Sequence, residues 1–142
     1  MPVLHPSLDA EVDSSRYTVR MEGQIAIHDV PMRDPNPVYG GLWAWAWPNV
    51  AFNVYARGLM MERMAPIDHG HTRLDYVYLM PEGEGVSDET MAMSDAVLAE
   101  DKFIVERVQQ NLAAAIYETG RLSPKHEGCI AAFQRMVRDA LT

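Results

Sequence analysis

The chain has 142 residues, of which 48% are apolar and 23% are charged, as in an ordinary globular domain. Its formal net charge of -8 opposes binding to phosphate backbones, so we expect no nucleic-acid partner. We also expect no membrane association, because no apolar run is long enough to span a bilayer and the N-terminus does not resemble a signal peptide. The single cysteine, Cys129, cannot form an internal disulfide, which fits a reducing cytoplasm.

The first half of the chain is predicted to form an antiparallel sheet. Polar and apolar residues alternate from Tyr17 to Ile27, which predicts one strand bent at Gly23. After a connection rich in proline and glycine, a strand begins at the tryptophans and a second one continues beyond Pro48. Residues 59–67 and 72–81 alternate on either side of a short turn. Four or five strands joined in this way are typical of an antiparallel sheet.

Three features of the sequence have both a structural and a functional interpretation. The three tryptophans share one strand face; they could form a stacking surface, but packing in a core or interface is favoured. The cluster of Asp68, His69 and His71 has metal-binding residue types, but its position in a turn favours a solvated loop. Cys129 has no neighbouring base in the sequence, which favours an inert thiol over a nucleophile.

The second half of the chain is predicted to be helical. Ser87 or Asp88 can cap a long helix that runs to about Thr119 and stops at Gly120. Pro124 begins a second segment with an amphipathic final helix. Because the strands precede the helices, we predict a single α+β domain over residues 1–142.

Asp101 occupies an unusual position on the long helix. At about 100° per residue it falls in the middle of the apolar face, which consists of Val97, Leu98, Ile104, Val105, Val108, Leu112, Ala115 and Ile116. A buried carboxylate costs several kcal/mol unless it is protonated, hydrogen-bonded or bound to a cation. Two interpretations stay open: a buried aspartate paired with backbone or arginine, or a metal ligand or catalytic acid/base.

Several segments together resemble one protein family. They are HPSL, LWAWAWPNVAFNVYARGL, HTRLDYVYLMPEG and AEDKFIVERVQQNLAAAIYETGRLSPKHEGCIAAFQRMV. This combination is similar to the α subunit of Rieske non-haem iron oxygenases, the group of ring-hydroxylating dioxygenases and quaternary-amine monooxygenases. The resemblance implies a helix-grip fold of the Bet v 1 and START type, in which an antiparallel sheet wraps a long C-terminal helix.

The resemblance also implies metal ligands. In that family two histidines and one carboxylate hold a mononuclear Fe(II), and open positions bind oxygen. His5 matches the second histidine of the family's H-C-P-x-x-H-P motif, and Asp101 matches the carboxylate. The first histidine falls one position before Met1. No catalytic residue beyond the metal ligands is implied.

The same comparison predicts what this chain lacks. It corresponds to the C-terminal part of the catalytic domain, incomplete at its N-terminal side, without the Rieske domain that carries the [2Fe-2S] cluster. We therefore expect the isolated chain to be inactive and to bind iron weakly or not at all. An incomplete domain leaves one edge of the sheet unpaired and one side of the long helix uncovered. We therefore expect a homo-oligomer.

In the complete enzyme, the resemblance implies O2, a small organic substrate and electrons from a reductase or ferredoxin. The substrate is an aromatic acid or a quaternary amine, and the chemistry is mono- or dioxygenation. Candidate pocket residues are Trp47, Asn49, Phe52 and Tyr76. The alternative is a non-catalytic module that uses the same fold to bind a small ligand or to assemble with another chain.

Overall fold

The structure is a computed structural model that describes residues 11–124 and 127–142, with the backbone alone of Tyr39. Six strands form one antiparallel sheet in which each strand pairs with the next one along the chain. They are β1 (Thr18–Glu22), β2 (Ile25–Asp29), β3 (Tyr39–Ala46), β4 (Val50–Tyr55), β5 (Gly58–Asp68) and β6 (His71–Leu79). The predicted sheet is confirmed, with more strands than expected.

The additional strand comes from the stretch that was predicted to be one bent strand. Its two halves form the β1–β2 hairpin, in which Glu22 lies opposite Ile25. Gly23 adopts φ 60° in the turn, a left-handed conformation that glycine reaches without steric cost. The prediction of a single strand was wrong because this glycine reverses the chain instead of bending it.

Two helices follow the sheet, α1 (Asp88–Ala113) and α2 (Gly128–Leu141). The Oγ of Ser87 accepts a hydrogen bond from the Thr90 N–H at 3.1 Å, which confirms Ser87 as the N-cap of α1. None of the helices in the described ranges is long and apolar enough to cross a membrane. Strands followed by helices confirm the α+β class, and a sheet carrying a long helix agrees with the helix-grip fold.

Helix α1 ends before the predicted Gly120. The Ala115 N–H donates to the Leu112 carbonyl at 3.1 Å, and the Ile116 N–H donates to the Asn111 carbonyl at 3.3 Å. These two bonds form a Schellman motif, which requires a left-handed residue after the C-cap. Ala115 takes that place with φ 56°. The expected end was wrong because the motif closes on an alanine, a residue that is not recognisable as a stop signal.

Both helices lie on the same face of the sheet, which we call the helix face. The Tyr55 hydroxyl and the Ser94 Oγ share a hydrogen bond of 2.8 Å between β4 and α1. From α2, Phe133 packs its ring edge-on against Trp45 and Trp47, with centroid distances of 5.2 and 6.1 Å. The tryptophans therefore serve packing, as predicted.

The core on the helix face is small. Tyr55 and Met60 are buried at its centre, with Trp43, Met93 and Val97 packed against them. In the described part of the chain, the other buried apolar residues are Ala26, Val30 and Ala132. The total accessible surface is 10,273 Å², whereas a compact monomer of this mass exposes about 7,400 Å².

The second half of α1 accounts for part of this excess surface. Val105, Val108 and Leu112 are 65%, 45% and 47% exposed. The prediction that the whole apolar stripe of α1 would face the core was therefore wrong. The first half of the helix, through Val97, makes the contact with the core, and the second half extends beyond it.

The left-handed backbone conformation of Ala115 leads to a prediction about stability. We expect Ala115→Gly to stabilise the chain by about 1 kcal/mol, because glycine removes the clash between Cβ and the backbone. The matched control is Ala113→Gly, in the last helical turn, which should destabilise by about 0.5–1 kcal/mol. Urea unfolding followed by circular dichroism measures both. An Ala115→Gly chain no more stable than the parent would contradict this account of the helix end.

Candidate functional site

Asp101 lies in the middle of α1, and it is exposed to solvent. It follows Val97 by about one turn and precedes Ile104, and both of these are partly buried. Its negative charge raises the pKa values of Glu62 and Tyr76 on the sheet. The expected burial of Asp101 is wrong because the sheet leaves this stretch of α1 open to water, and its assignment as a metal ligand stays a prediction.

Glu62 and Tyr76 are the two sheet residues whose pKa values the charge of Asp101 helps to raise. They lie directly opposite each other on β5 and β6, and the Tyr76 hydroxyl donates to Glu62 Oε1 at 3.1 Å. Burial is the main cause that raises the pKa of the Glu62 carboxyl; the charge of Asp101 adds to it, and the bond from Tyr76 opposes it. Burial and the neighbouring Glu62 charge raise the pKa of Tyr76 strongly.

Aromatic side chains lie near Glu62 on the same face of the sheet. Tyr78 lies opposite Met60 on the same face, and its ring centroid is 6.2 Å from that of Tyr55. Trp43 packs against the buried Tyr55 and Met60. We call this set the acid–aromatic cluster; its members are Trp43, Tyr55, Glu62, Tyr76, Tyr78 and Asp101. It combines negative charge with aromatic faces, which suits a cationic ligand.

The four residues predicted to line a pocket do not share one surface. Tyr76 lies on the helix face, whereas Phe52 lies on the opposite face, since Phe52 pairs with Ala44 and Met61 in the alternate register. Trp47 packs against Phe133. Asn49 holds β4 to β5, because its Nδ2 donates to the Met64 carbonyl at 2.9 Å and its own carbonyl accepts from the Met64 N–H. Of the four, only Tyr76 belongs to the cluster.

The candidate metal ligands are only partly described. His5 lies outside the described residues. Within ranges 11–124 and 127–142, no three His, Cys, Asp or Glu side chains come together in a metal-binding arrangement. The described residues therefore do not by themselves fit a three-ligand iron site. Asp68 and His71 form an exposed hydrogen bond of 2.8 Å in the β5–β6 turn, which confirms the solvated turn.

Comparison with known families gives the decisive observation. The sequence matches the family described as ring hydroxylating alpha subunit (catalytic domain) over residues 2–142. The chain belongs to this family. Its members are oxygenases, a class of oxidoreductases, and they use mononuclear iron. No curated protein matches the sequence.

In this ring-hydroxylating α-subunit domain, one polar group on the helix face was missed by the sequence analysis. The Tyr17 hydroxyl bonds to Nδ1 of His28, near the start of α2. Burial lowers the pKa of His28, and burial also raises the pKa of the Cys129 thiol, which makes the thiolate scarcer. These residues come together through the β1–β2 register and the docking of α2. The alternation of polar and apolar residues could have placed His28 on this face.

A pocket of about 330 Å³ opens beside the N-terminus of α1. Its lining includes Pro37, Val38, Tyr55, Arg57, Met80 and Thr90. Arg57 forms an ion pair with Glu84, another lining residue. Tyr55 connects this pocket with the acid–aromatic cluster, because it belongs to both. Residues from three separate stretches of the chain line this pocket, so no local pattern in the sequence predicts it.

The Tyr76–Glu62 bond gives a prediction for stability. We expect Tyr76→Phe to destabilise the chain by about 1–2 kcal/mol at pH 7, because a half-buried carboxylate loses its hydrogen-bond donor. Tyr117→Phe is the matched control, since Tyr117 is 58% exposed and lies beyond the end of α1. Urea unfolding at pH 7 measures both variants. Equal decreases of the unfolding free energy in the two variants would mean that the Tyr76–Glu62 hydrogen bond contributes nothing to stability.

The environment of His28 gives a prediction for pH dependence. Its folded-state pKa lies below the unfolded value of about 6.5. The folded state therefore favours the neutral ring, and this contribution is present above pH 6.5 and is lost as the pH falls through the folded pKa. We expect His28→Gln to flatten the decrease in unfolding free energy between pH 7 and pH 5. Urea unfolding at both pH values tests this, and a slope identical to that of the parent would refute it.

Proposed function

We propose that this chain acts as the C-terminal part of the catalytic domain of a Rieske-type oxygenase. The complete enzyme uses O2 to hydroxylate or demethylate a small organic substrate. The observation that carries this proposal is the family match over residues 2–142, combined with the effect of the Asp101 charge on Glu62. The exposed position of Asp101 supports a role in binding, because the structure leaves it accessible to a ligand.

We assign His5 and Asp101 as the iron ligands that this chain contributes. Iron bound there supplies the activation of O2 that characterises the family. The electrostatics favour a cation at Asp101, because two carboxylates on facing elements repel each other and a positive ion between them relieves that repulsion. Tyr76 holds Glu62 by donating its hydroxyl proton, so the second carboxylate keeps a fixed position beside the first.

A quaternary amine is the substrate class that the cluster supports. Aromatic faces of Trp43, Tyr76 and Tyr78 attract a cationic headgroup, and the carboxylates of Glu62 and Asp101 add to that attraction. An aromatic acid would bring its own negative charge toward two carboxylates, which is unfavourable where solvent screening is reduced. We therefore propose hydroxylation or demethylation of a small quaternary amine.

The electrons for the reaction must come from outside these 142 residues. A Rieske cluster requires two cysteines and two histidines, whereas the 142 residues contain one cysteine, so these residues do not hold that cluster. We propose that a Rieske domain passes electrons to this domain within a homo-oligomer, and that a reductase or ferredoxin reduces it in the cytoplasm.

Anaerobic titration with Fe(II) tests the metal assignment. We expect weak binding to the parent chain, because a site with fewer imidazoles loses affinity steeply. Asp101→Asn should weaken that binding by about tenfold or more. The matched control is Asp95→Asn, an exposed aspartate six positions earlier on another face of α1, which should bind as the parent does.

Two outcomes would contradict the assignment. One is identical behaviour of the parent and the Asp101→Asn chain up to millimolar Fe(II). The other is a loss of equal size in the Asp95→Asn chain, which would mean a general electrostatic effect. The same titration, repeated in the presence of a trimethylammonium compound or of benzoate, compares the two substrate classes. Tighter binding of benzoate than of the trimethylammonium compound would refute the amine assignment.

A further inference from the structure

Asn53 places an amide among aromatic and apolar side chains on the helix face. It lies two positions before the buried Tyr55 on β4, so the two side chains point to the same face. The register carries this row across five strands, with each residue directly opposite the next: His28, Trp43, Asn53, Met60 and Tyr78. The amide therefore stands between Trp43 and Met60, which both pack in the small core.

The amide of Asn53 makes little use of its hydrogen-bonding capacity inside the protein. Among the described residues, its one hydrogen-bond contact runs from Nδ2 to the Met60 Sδ at 4.0 Å. A thioether sulfur is only a weak acceptor. By contrast, the Asn49 amide donates to the Met64 carbonyl at 2.9 Å and so holds two strands together. Asn53 has no comparable structural bond in the described part of the chain, which leaves its amide available to a ligand.

The neighbouring row of the sheet leaves room beside this amide. That row consists of Ala26, Trp45, Ala51, Glu62 and Tyr76. Ala51 stands between Trp45 and Glu62 and is only partly buried. A methyl group between an indole and a carboxylate leaves a depression in the face, and solvent reaches it. Four larger side chains border this depression: Trp43, Trp45, Asn53 and Glu62.

The border of the depression combines two kinds of recognition. Indole faces and the Glu62 carboxylate attract an ammonium group. Asn53 lies diagonally across from Glu62, one row and one strand away, and such positions are about 7–8 Å apart. A small amine whose nitrogen lies near Glu62 therefore has its other end within reach of Asn53.

The amide also indicates which group that other end carries. Asn53 donates through Nδ2 and accepts through Oδ1, and a hydroxyl group both accepts and donates. A carboxylate in the same place would repel Glu62 at short range, whereas a neutral oxygen does not. The surroundings of Asn53 therefore favour a hydroxyl over a carboxylate.

We propose that Asn53 determines substrate specificity by hydrogen-bonding a hydroxyl group of the quaternary amine that binds over Ala51. This inference rests on the proposed function, because it takes the amine site as given. It adds the part of the substrate that the aromatic and acidic side chains do not recognise. Amines with a hydroxyl a few bonds from the nitrogen then bind more tightly than alkyl amines of the same shape.

Tryptophan fluorescence of the full chain, titrated with two probes of equal shape and charge, tests the assignment. The probes are choline and propyltrimethylammonium, in which a methyl group replaces the hydroxyl. We expect the parent to bind choline about fivefold to tenfold more tightly, which corresponds to one net hydrogen bond. Asn53→Leu should bind both probes equally, because leucine has similar bulk and no polar atom. The matched control is Asn111→Leu, the same change at an exposed position of α1, which should keep the preference.

Propyltrimethylammonium also reports whether the site of a variant is intact, since Asn53→Leu should bind it as the parent does. Asn53→Ala repeats the test without added bulk, and circular dichroism checks the fold of each variant. Equal binding of the two probes by the parent would overturn this inference alone, as would a choline preference that survives both substitutions of Asn53. Tighter binding of glycine betaine than of choline would overturn the choice of a hydroxyl. Absence of binding of either probe to the parent would overturn the amine assignment itself, and this inference with it.

Discussion

The contact between α1 and the helix face of the sheet is the constraint on which the rest of the structure depends. It is made over little more than the first half of the helix, where Met93 and Val97 pack against the buried Tyr55 and Met60, and Ser94 bonds to the Tyr55 hydroxyl. This contact sets the rotation of the helix about its axis. With that rotation, the charge of Asp101 adds to the effect of burial in raising the pKa values of Glu62 and Tyr76.

The limited extent of the same contact explains the character of the candidate site. A longer buried interface would have enclosed Asp101 and imposed the full desolvation cost of an isolated carboxylate. Here the contact of the helix with the core ends near Val97, so Asp101 remains hydrated while Glu62, on the sheet, is half-buried. One carboxylate is therefore accessible to a ligand, and the other is held in place by Tyr76. Such an arrangement attracts cations from solvent without burying an unpaired charge.

The two faces of the sheet differ in chemistry. Aromatic and acidic side chains collect on the helix face, and aliphatic side chains with paired charges collect on the opposite face. Since successive residues of a strand point to opposite faces, each strand contributes to both surfaces. Met61 and Glu62 are neighbours in the chain, yet only Glu62 lies in the acid–aromatic cluster.

Local patterns in the sequence determined the element types, the N-cap at Ser87 and the packing role of the tryptophans. These depend on periods of two or 3.6 residues and on short-range hydrogen bonds, so a single segment contains the information. Tertiary structure alone decided how deeply Asp101 is buried, that its charge acts on Glu62, and that Phe52 and Tyr76 lie on different faces. Those properties depend on which strands pair, in which register, and on how far the sheet covers the helix. They arise from contacts between residues far apart in the chain, and no local pattern contains them.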